Sequence, residues 1–86
     1  MPPKVTVIIP VWNGAAWLAA CLDALAAQSF RDFAVIVVDN GSTDNSRALV
    51  ARHAPQATLI AWARNRGFAA AVNAGIMESL NQRIKE

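Results

Sequence analysis

Residues 5–14 read Val-Thr-Val-Ile-Ile-Pro-Val-Trp-Asn-Gly, a run rich in β-branched residues that ends abruptly in an asparagine and a glycine. Val5–Ile9 does not alternate between apolar and charged residues, which is the pattern of a strand covered on both faces in a parallel sheet. A second run of the same kind, Phe33–Val38 (FAVIVV), passes into Asp39-Asn40-Gly41, and a third and weaker one, Thr58–Trp62 (TLIAW), leads to Asn65 and Gly67. Between them the period changes to that of a helix. Trp17, Leu18, Cys21, Leu22 and Leu25 share one stripe, and Ala24, Ala26 and Ala27 add helix propensity. Ser42–Asp44 supplies oxygens suited to capping a second helix that ends before Pro55. A third begins near Gly67 and carries Val72, Ile76, Leu80 and Ile84 at spacings of four. The order β-α-β-α-β-α, joined by right-handed crossovers, puts helices on both faces of a parallel sheet. This predicts a doubly wound α/β unit of three layers, α/β/α. The gaps between strands are too long for hairpins, which disfavours an antiparallel α+β arrangement.

Composition narrows the function classes. The chain has 86 residues, 55% apolar and only 16% charged, so it has the apolar surface to fold as one small domain and is not a disordered tail. Eight Lys and Arg against six Asp and Glu give +2, scattered along the chain, which argues for neither a nucleic-acid face nor a membrane-surface patch. Cys21 is the one cysteine, so an intrachain disulfide and a Cys-rich metal site are excluded, and the cytoplasm is the expected compartment. No apolar run approaches the length of a membrane span, and neither a signal peptide nor an anchor is expected.

Each predicted strand hands over to its helix through an asparagine and a glycine: Asn13-Gly14, Asn40-Gly41, and Asn65 with Gly67. In an open parallel sheet these junctions lie side by side at the carboxyl edge, where ligands bind. Any one of them is equally well explained as turn chemistry. Together they suggest a binding rim. Trp12 follows the first strand, where its ring can stack on a flat base, and Asp39 ends the second with a carboxylate aimed at the same crevice. A packing Trp and a helix-capping Asp are the plainer alternatives. Arg64 and Arg66 flank the third junction, where guanidinium groups can meet phosphate oxygens or simply remain solvated.

Other chemistries lack their residues. The first junction is not G-x-G-x-x-G and no G-x-x-x-x-G-K-[ST] loop occurs, which disfavours dinucleotide oxidoreductases and P-loop NTPases. His53 is the only histidine and sits late in the second helix, a place that suits interaction with the helix dipole better than catalysis.

Three stretches, VTVIIPVWNG, LDALAAQSFRDFAVIVVDNGSTD and NRGFAAAVNAG, closely resemble the amino-terminal half of family-two inverting glycosyltransferases of the GT-A fold, over about Val5 to Ile76. The resemblance implies a sheet of order 3-2-1, that is, a truncated GT-A, Rossmann-like nucleotide-binding half within a single partial domain, residues 1–86. It implies that Pro10, Val11, Trp12 and Asn13 hold the base of a UDP- or dTDP-sugar donor, with Trp12 stacking on it. Asp39 and Asn40 stand where the family has an acidic pair contacting the base, and Asn65 and Gly67 belong to the third motif of the site. The DNGS and NRGFAAAVN wording looks like the branch that includes rhamnosyltransferases using dTDP-sugars. Where many members carry an Arg before the Asn of the third helix, this chain has Val72 before Asn73.

Residues 77–86, MESLNQRIKE, depart from the family pattern. The family continues into an Asp-x-Asp motif that binds Mg or Mn on the donor diphosphate, and then to an acidic base. No Asp-x-Asp occurs among Asp23, Asp32, Asp39, Asp44, Glu78 and Glu86. The resemblance therefore implies no catalytic residue and no metal ligand within these 86 residues, and a chain that binds nucleotide-sugar weakly without transferring it. A metal is expected only for a full-length member. An alternative reading is a non-catalytic module that self-associates, because in the resembling fold Val5–Ile9 is left as an unpaired edge that invites a second copy. A receiver-like domain lacks its acidic cluster here.

Overall fold

A computed structural model describes residues 3–85. The elements follow the predicted order: β1 (Val5–Val11), α1 (Ala15–Ala27), β2 (Phe33–Asn40), α2 (Ser46–His53), β3 (Thr58–Trp62) and α3 (Phe68–Lys85). The three strands form one parallel sheet with β2 in the middle, the order 3-2-1. Val5 pairs with Phe33 and Val11 with Asp39, while Ile36 pairs with Thr58 and Asn40 with Trp62, so all three strands finish close to one level.

The alternation of side chains along β2 divides the core in two. Val35 and Val37 face α1 and α2, where they join Ile9, Val11, Leu18, Leu22, Val50 and Ala54. Ile36 and Val38 point the other way and meet Ala71 of α3, with Ile60, Trp62 and Ala74 packed around them. Both faces of β2 are thus covered, which is why its sequence is apolar without a break. Pro10 is accommodated because β1 is an edge strand, where a missing N–H costs no ladder bond.

Three details differ from the expectations. β1 and β2 each run two residues beyond Ile9 and Val38, carrying Val11 and Asn40 into the sheet. α2 starts at Ser46 rather than near Ser42–Asp44; those three residues form a separate loop, of which Asp44 alone accepts from the Ser46 N–H at the helix start. The largest difference is in α3. Its packed face is formed by Ala71, Ala74 and Gly75, whereas Ile76, Met77, Leu80 and Ile84 face outward and Ile84 is 83% exposed. The reason is close approach: a Cβ on Gly75 would collide with the Ile8 side chain, so the small-residue face of α3 lies directly on β1. Beyond it, the Ser79 hydroxyl donates to Thr6 Oγ1 (3.2 Å) and Gln82 Nε2 donates to Thr58 Oγ1 (2.9 Å). His53 is the last residue of α2, as expected, and there its Nδ1 lies 2.9 Å from Asp23 Oδ1 of α1.

Candidate functional site

The parallel sheet brings the loops after β1, β2 and β3 to its carboxyl edge, and their side chains tie the three loops together. Asn13 adopts a left-handed conformation (φ 50°), tolerable for asparagine, which turns its amide toward the second loop. There Asn13 Oδ1 accepts from the N–H of Thr43 (2.8 Å) and of Asp44 (3.3 Å), while the Asn13 N–H donates to Ser42 Oγ (2.9 Å). The Gly14 N–H donates to Ser46 Oγ (3.0 Å).

Asp44 serves two helices at once. Its carboxylate accepts from the Ala15 N–H at the start of α1 (3.1 Å) and from the Ser46 N–H at the start of α2 (3.0 Å), as well as from the Ser46 hydroxyl. The Ser46 hydroxyl and these backbone N–H groups together hold the Asp44 carboxyl below its ordinary value of 3.8.

The second and third loops are joined as closely. Gly41 has φ 80°, and any Cβ there would overlap the backbone of Arg64 and Asn65. Only glycine allows the two main chains to touch in this way. Asn40 is buried at the crossing point, where its Oδ1 accepts from the Arg66 N–H (2.7 Å) and its Nδ2 donates to the Gly67 carbonyl (3.0 Å). Asn65 closes its own turn by accepting from the Gly67 N–H (2.7 Å).

Asp39 is 1% exposed, and both of its oxygens are engaged. The Ser42 hydroxyl donates to one and Arg47 Nε to the other, while Arg47 Nη2 reaches the Trp62 carbonyl at the end of β3. Of the two readings of Asp39, a carboxylate facing the crevice or a residue serving a helix, the structure has it anchoring the loop after β2 and the start of α2. Arg66 lays its guanidinium over the Trp62 ring, 4.5 Å from the ring centre.

A pocket of about 120 Å³ opens among these loops, lined by Pro10, Val11, Trp12, Asn40, Asn65 and Phe68. Five of these residues are among those singled out in the sequence. Trp12 stands 58% exposed at its mouth, free to meet a ligand. Asn13, Asp39 and Gly67 do not line it; each fixes a loop that does. Phe68 was not anticipated, although a large aromatic directly after the Asn-Arg-Gly of the third junction was a signal that could have found it. The pocket is smaller than the ~300–1,000 Å³ of a site that encloses a whole ligand, and it suits one ring system. Two larger hollows lie away from the junctions, one at the amino edge beside Leu25, Phe33 and Gln56 and one along the outer face of α3. In an open α/β sheet the carboxyl edge is where ligands are held, and that favours the smaller pocket. Among the described residues no three His, Cys, Asp or Glu side chains come together as a metal site, and no helix is long and apolar enough to cross a membrane.

Residues 6–84 match the model of the family described as Glycosyl transferase family 2. Among curated relatives, the PGL/p-HBAD biosynthesis glycosyltransferase of Mycobacterium tuberculosis is 38% identical over 77 residues, which is 86% of this chain and 30% of that protein. Glycosyltransferase GlyA of Streptococcus pneumoniae is 35% identical over 75 residues, 85% of this chain and 11% of its own. The mannosyltransferase PcManGT of Pyrobaculum calidifontis, solved with GDP-Man and Mn²⁺, superposes with a TM-score of 0.81 at 34% identity, covering 91% of this chain and 25% of that one. S. aureus TarS residues 1–349 superpose at 0.78 with 28% identity, covering 86% and 23%. The chain therefore spans less than a third of the length of each of these proteins.

Proposed function

The chain belongs to glycosyl transferase family 2, and on that premise we propose that its carboxyl-edge rim is the base-binding half of a nucleotide-diphospho-sugar site. The observation that carries this reading is the convergence of the first, second and third loops on one pocket with an exposed Trp12 at its mouth. Pro10, Val11 and Trp12 form the wall for the base, Asn40 and Asn65 form the floor, and Asn13, Asp39 and Gly67 hold that wall and floor in register. Asn40 keeps a lone pair on its amide oxygen beyond the one given to Arg66, and this suits an N–H on a base edge. The donor is a UDP- or dTDP-sugar, and the transfer in the whole family enzyme inverts the sugar carbon. The rhamnosyltransferase-like wording of the second and third motifs favours dTDP.

PcManGT holds its nucleotide-sugar with Mn²⁺. The residues described here do not fit such an ion: Asp39 is covered by Arg47 and Ser42, and Asp44 is committed to two helix starts. Arg64 and Arg66 are the cations the rim brings near a diphosphate, but deprotonating the acceptor hydroxyl needs a free carboxylate, and Asp39 and Asp44 are both committed. On this reading the 86 residues contribute the base-binding half of the site and are inactive alone.

Titrating the chain with UDP and with dTDP while recording amide resonances tests the reading. Shifts centred on Trp12, Asp39 and Asn40, weak and little changed by Mn²⁺, are expected; an unchanged spectrum at millimolar nucleotide would refute it.

A second reading, self-association, is favoured by one observation. β1 is paired on one side only, and Val5 on it is exposed. An unpaired apolar edge recruits a second strand. Light scattering of the chain should then give a mass above that of a monomer, and a strictly monomeric folded species removes this reading.

A further inference from the structure

We propose that Phe68 is the second aromatic wall of the pocket, so that a planar pyrimidine base is held between Trp12 and Phe68 rather than on Trp12 alone. The proposal rests on the nucleotide-binding reading above and adds to it a residue that sets affinity.

The sheet order supplies the geometry. Trp12 follows β1 and Phe68 follows the loop after β3, the two outer strands, while Asn40 ends β2 between them. All three line the one pocket, with aromatic groups arriving from its two flanks and an amide from its middle. A single exposed apolar residue carries no message, since folded proteins show many. Here two large aromatics, 58% and 73% exposed, share one small concavity at the edge of the sheet where ligands bind.

Phe68 is also held in place before any ligand arrives. It is the first residue of α3, directly after Gly67, whose φ of 92° turns the chain into the helix. Asn40 holds the Gly67 carbonyl and Asn65 holds the Gly67 N–H, so both sides of that turn are pinned. A ring presented from a pinned backbone loses little freedom when a base slides against it. The volume of about 120 Å³ admits the base and leaves diphosphate and sugar outside. Asn40 Oδ1 and Asn65 Oδ1 each already accept one backbone N–H, so stacking on the ring faces contributes more than the one remaining Asn40 lone pair; uracil and thymine present the same N–H edge to it, and UDP and dTDP should bind within a few-fold of each other, dTDP the tighter.

Saturation-transfer NMR with UDP and dTDP as probes, alongside calorimetric titration, tests the clamp. In the wild-type chain the base H5 (or methyl) and H6 protons should receive saturation and move upfield under the ring currents. Phe68→Ala should weaken both nucleotides about tenfold, in keeping with the loss of one stacking partner, and should reduce the upfield movement. Phe68→Tyr should bind like wild type, and Phe68→Leu should behave like the alanine variant, because area without a π-face does not replace the ring. The exposure of Phe68 makes all three variants fold, which circular dichroism would verify. If the wild-type chain binds nucleotide and Phe68→Ala binds equally well, the clamp is wrong and the base-binding reading stands. If the wild-type chain binds neither nucleotide, the base-binding reading falls and the clamp with it.

Discussion

The carboxyl edge of the sheet and the outer face of α3 are built on opposite terms. At the carboxyl edge nearly every polar side chain is committed: Asn13, Asp39, Asn40, Ser42, Asp44 and Ser46 each bond across to another loop or helix start. Among the described residues no buried side-chain nitrogen or oxygen is left without a partner. The outer face of α3 shows Ile76, Met77, Leu80 and Ile84 to solvent, from about half exposed to 83% exposed. The first region is internally complete, and the second is not. A site that binds a ligand by shape needs walls fixed in advance, and cross-loop hydrogen bonds supply that rigidity at low cost in mobile side chains. The outer face of α3 is instead apolar area that the described residues leave partly uncovered.

The strongest way to break the first region is Gly41→Ala. A Cβ at Gly41 meets backbone that cannot move aside, and the positive φ adds strain of its own. Urea unfolding should show a loss of about 3 kcal/mol or more, and nucleotide binding should vanish with it. A stability close to wild type would mean that the loops after β2 and β3 are not in contact.

Arg47→Ala comes next. It leaves the Asp39 carboxylate buried without its cation and frees the Trp62 carbonyl. The cost should be about 2 kcal/mol, below that of breaking a fully buried pair because the Arg47 side chain is partly exposed. Asp39→Asn in the same chain should restore part of the loss, and a double variant weaker than either single one would disprove the pairing.

Acid acts on the same region through Asp44. Its carboxyl is held below 3.8, so the stabilisation it brings is complete above that value and is lost as pH falls through the lower, folded value. Stability followed from pH 6 to pH 2 should decline more steeply below about pH 4 in wild type than in Asp44→Asn. Parallel curves would show that Asp44 does not link α1 and α2.

The smallest change in stability is expected on the outer face of α3. Leu80→Gln with Ile84→Gln removes apolar surface that is half or more exposed, and unfolding should shift by no more than about 1 kcal/mol. If this face associates, the same variant should lower the mass seen by light scattering; a large loss of stability would mean that the stripe is packed within the monomer.

These contrasts mark how far the residues could be read. β2 was legible because FAVIVV has a strand character that depends on neighbours alone, and the Asn-Gly pairs announced where each strand stops. The pocket was legible in its first wall, Pro10-Val11-Trp12, since these directly follow a recognisable strand. The sequence allows the Asp39 carboxylate either to face the crevice or to cap a helix; its partner Arg47 lies in the next helix, and no local pattern pairs them. The α3 stripe Val72, Ile76, Leu80 and Ile84 has a true helical period, but a period marks a face without saying whether that face meets the sheet.

By itself, the sequence determined the alternation of strands and helices, the parallel sense of the sheet and the three junctions at its edge. All of these follow from local propensity, from period and from the handedness of crossovers. The tertiary structure alone decided that Asn13 reaches residues 30 positions on and that Asn40 binds the backbone 26 and 27 positions on. It also decided that α3 rests on the sheet through Ala71 and Gly75. These depend on close approach, of two backbones where Gly41 meets Arg64 and of the α3 backbone to the Ile8 side chain at Gly75, and such distances are a property of the packed molecule rather than of any single stretch of chain.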